Sequence, residues 1–222
     1  MKRSFIAAMC LSAGIFAYAG VASAQAPAAA PAPLAFQTHA AFFSSETKQP
    51  SAIDPQAFVA DSAAPAATGP QGIAHVAGFR PALIATDPPT SPVNTAEGKP
   101  TGFTLGAWLG ATGTAAIATQ PTGGARVTAS FHGLKPNGLY SLFENHFDQS
   151  PVGFTPLDGA GKTNSFKADA SGGARVIVTS PTPLSHANAV LVILDDDGQT
   201  HGESRGEIGV NVQHQLIARP PI

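Results

Sequence analysis

Sulfur is nearly absent from this chain. Of its 222 residues one is cysteine and two are methionine. Cys10, Met1 and Met9 all fall within the first ten positions. Beyond them no disulfide can form, so stability has to come from a core of adequate size. Centres that need thiolate or thioether ligands, such as blue copper or thiolate zinc, are excluded there. Charge is sparse too: Asp, Glu, Lys and Arg make up 12% of the chain, with 12 basic and 14 acidic residues. No basic run stands out, which excludes nucleic acid as the expected partner.

What is present begins with a leader. Lys2 and Arg3 precede the apolar run FIAAMCLSAGIFAYAGVA, and Ala22-Ser23-Ala24 forms a small-residue cleavage site before Gln25. The expectation is a secretory signal over 1–24, giving a periplasmic or secreted protein with no transmembrane span in the mature chain. Losing Lys2 and Arg3 with it would leave ten basic against fourteen acidic residues, a balance of −4. The leader lacks an Arg-Arg pair, so export of an unfolded chain is expected, with any cofactor acquired outside the cytoplasm.

QAPAAAPAPLA, residues 25–35, reads as a disordered Ala/Pro linker. Residues 36–97 are interrupted by proline and read as an irregular segment, with one or two short strands, packing partly on a main domain. From Gly98 the texture changes. TLGAWLGATG reads as a short helix or a turn around Trp108. The segments TAAIAT, ARVTASFHGL, GLYSLFENHF, NSFKADA, ARVIVTS, NAVLVIL and GVNVQHQLIA then recur between Gly, Pro, Asn and Asp. That spacing predicts an all-β domain over 98–222: an antiparallel β-sandwich or Greek-key barrel of about seven or eight strands. No stretch is long and amphipathic enough for a crossover helix.

Alternation assigns faces. Val127, Ala129 and Phe131 fall on one side of their strand. Phe143 and Phe147 share a face with Ser141 and Asn145, and Tyr140, Leu142, Glu144 and His146 take the opposite one. Val210, Val212, His214 and Leu216 line up, with Ile217 among Asn211, Gln213 and Gln215. AVLVIL is apolar on both faces and reads as a central strand.

Four stretches imitate chemistry. GESRG, Gly202 to Gly206, matches a nucleophile elbow, but that motif needs an apolar strand before the serine and a helix after it. Polar QTH precedes Gly202, and alternating GEIGVNVQHQL follows. GAGKT, Gly159 to Thr163, imitates a phosphate loop but lacks the first glycine and the following helix. DDDG fails the calcium-hand spacing, because Ile193 and Ser204 occupy ligand positions. Asp197-Gly198 is instead a hairpin turn signal. DDDGQTHGESRG is therefore expected to join two strands as a long polar loop. Lastly, His146, His201 and His214, with Glu144, form a candidate metal set. Imidazoles and carboxylate suit zinc or copper; calcium fits less well.

The stretches GFTLGAWLGATGT, GLKPNGLYSLFENHF, PLDGAGKTNSFKADASGGA and NAVLVILDDDGQTHGESRGEIGVNVQHQLI resemble a group of exported bacterial β-sandwich proteins. The shared pattern is GLxPNGxYSLF…DGxGxxNSF…HGxxRGxxG…HQLI. Members of that group often carry a histidine and a serine before the Asp-Gly turn, where this chain has Leu194, Asp195 and Asp196. The group has no established activity, so the resemblance implies a fold and a compartment only. A looser likeness is to the copper–zinc superoxide dismutase sandwich. There a GL-x-P turn leads into His-x-His, whose first position is Glu144 here. The expected role is a non-catalytic binding or envelope-associated module, with an envelope component or small molecule as partner. The alternative is a periplasmic zinc or copper protein using these histidines, with redox or hydrolytic activity.

Overall fold

In the computed structural model, which describes residues 32–121 and 123–222, strands dominate and antiparallel pairing is universal within the sheets. The expected leader (1–24) and residues 25–31 of the expected linker lie outside the described residues. Among the described residues no helix is long and apolar enough to cross a membrane.

Two sheets make the sandwich. The first has the order β1-β9-β10-β14: Leu34–Ala35, Thr112–Thr119, Ala125–His132 and Ala174–Ser180. The second has the order β12-β11-β15-β16-β2: Gly153–Pro156, Leu139–His146, Asn188–Asp195, Val212–Ala218 and Gln37–Thr38. A further strand, β13 (Ser165–Lys167), also pairs with β11. Seven of these strands have four or more residues; six fall on segments expected from the sequence, β12 does not, and the expected NSFKADA strand is the three-residue β13. The chain passes from one sheet to the other at Phe36, whose ring packs on Phe131 with centroids 5.1 Å apart. Ordered pairing therefore begins inside the expected linker, at Leu34.

Residues 36–97 carry more regular structure than proline content suggested. Thr38 caps α1 (His39–Glu46), its hydroxyl accepting from Ala41 N at 3.2 Å. A third sheet follows, β6-β3-β7-β8: Phe79–Leu83, Ile53–Ala60, Pro92–Asn94 and Pro100–Thr104. A small hairpin pairs β4 (Ala67–Thr68) with β5 (Ala74–His75). The prolines fit because of where they fall. Pro55 sits in the bulge of β3, Pro81 on the edge strand β6, and Pro92 and Pro100 open their strands. None of these places demands a mid-ladder N–H. The third sheet also crosses residue 98, since β8 belongs to it. TLGAWLG forms the short helix α2 (Leu105–Leu109).

The two faces of the second sheet meet different neighbours. Its inner face sets Tyr140, Leu142, Val190, Val192, Leu194, Leu216 and Ala218 against Ala115, Val127, Ala129, Phe131 and Val178 of the first sheet. Ala57, Val59, Ala82, Val93 and Phe103 of the third sheet extend the same core. Its outer face sets Phe143, Ala189, Leu191, Ile193, Val212 and Ile217 against Phe42 of α1, with Phe147, Phe154 and Ile208. The two-sided burial of AVLVIL follows, because β15 lies between β11 and β16 and is covered on both faces.

One face assignment is corrected. Ile193 pairs with His214 while Val192 pairs with Leu216, so Gln215 is an extra residue, a β-bulge. The bulge reverses the phase of β16. Ile217, not Leu216, shares the outer face with Val212 and His214. The bulge is secured from outside the sheet: Gln215 Nε2 donates to Trp108 O at 3.0 Å, and His214 N donates to Gln56 Oε1 at 2.8 Å. Trp108 Nε1 in turn donates to buried Asp54 Oδ2 at 2.7 Å.

Candidate functional site

The metal set proposed from sequence falls into three separate environments. Glu144 is buried on the inner side of β11, accepting from Asn188 Nδ2 at 2.6 Å and Thr182 Oγ1 at 2.9 Å. His146 lies beside it, Nδ1 at 3.7 Å from Glu144 Oε1, with Nε2 at 2.8 Å from Thr155 Oγ1. His201 sits in the β15–β16 connection, Nε2 at 3.4 Å from Asp197 Oδ1, without hydrogen-bond geometry. His214 is buried in β16 on the outer face, next to His39. Among the described residues no three His, Cys, Asp or Glu side chains are grouped to hold a metal ion.

The loops that imitate motifs are built as turns. Residues 196–211 join β15 to antiparallel β16, with glycines 198, 202, 206 and 209 at positive φ. Ser204 is exposed, its Oγ accepts from Gly206 N at 3.2 Å, and the next regular element is a strand. In GAGKT, Asp158 takes up the amides of Ala160, Gly161, Lys162 and Thr163 at 2.6–3.0 Å. Those donors hold the Asp158 carboxyl down to about 2, against the opposing pull of its burial. The N–H groups that would cradle a phosphate are therefore already spoken for.

A cavity of about 270 Å³ opens between α1 and the outer face of the second sheet. The cap at Thr38 starts the helix so that His39, Phe42 and Phe43, spaced i, i+3 and i+4, line it. The alternation of β11 brings Asn145 and Phe147 to the same wall, and Phe154 comes from β12, whose register sets it opposite Asn145. Rings continue from the wall into the sheet. Phe43 stacks on His39 at 6.2 Å, His39 meets His214 edge-on at 5.0 Å, and His214 meets Phe154 at 5.7 Å. Arg205, from the long loop, closes the series with its guanidinium carbon 3.4 Å from the Phe154 centroid.

This apolar wall carries unusual polarity. His39 Nδ1, Asn145 Oδ1 and both ring nitrogens of His214 are buried without a hydrogen-bond partner. Buried polar atoms in folded proteins are nearly always paired, since leaving one bare costs ~1–3 kcal/mol. Burial first, and then the charge of Arg205, push the His39 imidazole down to about 3. Burial, His39 and Arg205 push His214 down as well, so both rings are neutral near pH 7. Arg205 is half-buried, and its own proton is made easier to lose by burial. Among the described residues no carboxylate or hydrogen-bond acceptor pairs with it. The cavity wall holds no serine, cysteine or lysine among the described residues.

A larger hollow, about 340 Å³, lies at the other end of the sheet around Lys135, Asp195 and Asp196. There the charges answer each other: Lys135 Nζ is 2.8 Å from Asp196 Oδ1. Asp195 accepts from Ser141 Oγ at 2.6 Å, and burial raises its carboxyl to about 6. Compensated charge and paired acceptors leave that hollow with less to offer a ligand.

Sequence reasoning found His214 but missed His39, Asn145, Phe154 and Arg205 as its neighbours. Thr38 followed by aromatics at helical spacing was the available signal for His39. Arg205 sits inside GESRG, where Ser204 draws the eye. No family model matches the chain, and no curated protein or solved structure shows significant similarity to it.

Proposed function

We propose that this protein is an exported, non-catalytic binding module that takes a small molecule into the cavity between α1 and the outer face of the second sheet. The observation that carries this is a cluster of buried, unpartnered polar atoms in and next to an apolar wall: His39 Nδ1 and Asn145 Oδ1 belong to wall residues, and the His214 ring packs against His39. A concave apolar site with a few convergent polar groups is the usual form of a small-molecule site. Its volume suits a ligand of about one ring.

The test is a nuclear magnetic resonance titration of the ¹⁵N-labelled protein with indole, a neutral single ligand-sized molecule. Amide shifts confined to 38–47, 143–147 and 152–155 are expected. Val152→Trp, placed at a half-exposed mouth residue, should abolish them without unfolding the protein. Shifts elsewhere, or none, would remove this reading. Recovery from the periplasm of a chain beginning at Gln25 would test the export part.

A further inference from the structure

We infer that the ligand of this cavity is a small monocarboxylic acid with a planar or branched apolar body. This rests on the cavity being a ligand site, and it adds the sign of the ligand's charge.

Arg205 carries the argument. A guanidinium taken half out of water loses hydration that a carboxylate partner ordinarily replaces. Here its guanidinium carbon lies 3.4 Å from the centroid of Phe154, a wall ring, with no carboxylate beside it among the described residues. Its charge reaches His39 and His214, since it helps keep both imidazoles unprotonated. The same repulsion acts on any cationic ligand at that end, and the same field attracts an anion. A neutral imidazole has one N–H with which to meet a carboxylate oxygen, and His39 is one of the wall residues. A guanidinium offers a planar fork matched to the two oxygens of such a group.

The rim agrees. Glu46 is the one acidic residue on the wall among the described residues, and Arg219 Nη1 lies 3.4 Å from its Oε2. Arg219 also covers Phe147, at 4.3 Å from that ring's centroid. Two wall phenylalanines are thus each stacked with a cation, while the only wall carboxylate is paired. Phe42, Phe43, Phe147 and Phe154 supply the apolar contact for the acid's body. The volume, about 270 Å³, sits at the small end for ligand cavities and restricts that body to about one ring.

Three molecules of nearly equal shape test the charge: phenylacetate, 2-phenylacetamide and 2-phenylethylamine, titrated calorimetrically into the full chain at pH 7.5 and low salt. Phenylacetate should bind at least about tenfold more tightly than the amide, as one charge-assisted hydrogen bond allows, and the amine most weakly. Arg205→Gln should bring phenylacetate to the level of the amide and leave the amide unchanged. Arg205→Lys should keep most of the preference. Should Arg205→Gln fail to fold, salt replaces it: 0.5 M NaCl should weaken phenylacetate and spare the amide. Equal affinity for acid and amide overturns the charge assignment while leaving the cavity a ligand site. Binding of none of the three overturns both.

Discussion

The two faces of the second sheet share strands, composition class and depth, yet they are finished differently. On the inner face the apolar side chains of β11, β15 and β16 close against the first sheet, and Tyr140 turns its hydroxyl to accept from Lys135 N at 2.8 Å. Buried Glu144 is paired there with Asn188 and Thr182, while the amide of Gln213 is unpartnered. On the outer face the apolar set is interrupted by Ser141, Asn145, Asp195 and His214, and a cavity remains. The inner face is what a sandwich needs for stability. The outer face gives up some of that stability in bare buried nitrogens and in a cation with no carboxylate beside it among the described residues. Proteins accept such costs where a site requires them.

The contrast can be broken most forcefully from the inside. Leu194 is fully buried on the inner face, and Leu194→Ala should cost ~2–5 kcal/mol in urea unfolding. The affinity of the cavity for indole should be unchanged in the surviving folded fraction. A parallel loss of affinity would show that the faces are not independent.

Acid should separate the faces next. His39 titrates near 3 in the folded chain and near 6.5 when unfolded, so the unfolded state binds the proton first as pH falls. Stability present above pH 6.5 should therefore decline from there toward pH 3, by at most ~1.4 kcal/mol per pH unit for each buried histidine. Asp195 acts in the opposite sense. Its folded value near 6 lies above the unfolded 3.8, so its contribution is full below 3.8 and lost as pH rises through 6. Denaturation midpoints between pH 4 and 8 should show the net decline toward acid. His39→Phe should flatten it, and Asp195→Asn should steepen it.

A gentler test replaces polarity with bulk. His214→Leu removes two unpartnered buried nitrogens from the outer face, so at pH 7.5 the protein should gain ~1 kcal/mol. Binding of phenylacetate should weaken in the same variant. A destabilised His214→Leu would mean that those nitrogens are satisfied in solution. The smallest effect belongs to Ser204→Ala. The residue is exposed in a turn, so stability should move by less than ~0.5 kcal/mol. A fluorophosphonate probe should label neither the parent nor this variant.

The sandwich was legible because its strands alternate against a single core. Val127, Ala129 and Phe131 announce one face, and AVLVIL announces a strand covered on both. The outer layer was not, because its signals are local and brief. A one-residue cap at Thr38 starts an eight-residue helix whose buried side spreads over most of its circumference. Prolines that suggest irregularity sit at bulges, edges and strand starts, which sequence spacing does not reveal. The cavity was hidden for a different reason. His39 and His214 are 175 positions apart, and Arg205 meets Phe154 only through a loop without periodicity. The candidate metal residues were chosen by type and nearness in sequence, whereas the sheet distributes them over two faces and a loop.

The bulge at Gln215 has a bearing on how this chain can vary. A strand is a two-letter alternation, and one inserted residue changes its parity. Upstream of Gln215, odd and even positions of β16 point one way; downstream they point the other. Deleting that single residue would only restore plain alternation: His214 would still face Ile193 and Leu216 would still face Val192, each on its present side. Loss of one residue elsewhere in β16, with Gln215 kept, would instead exchange the inner and outer side chains on one side of the loss.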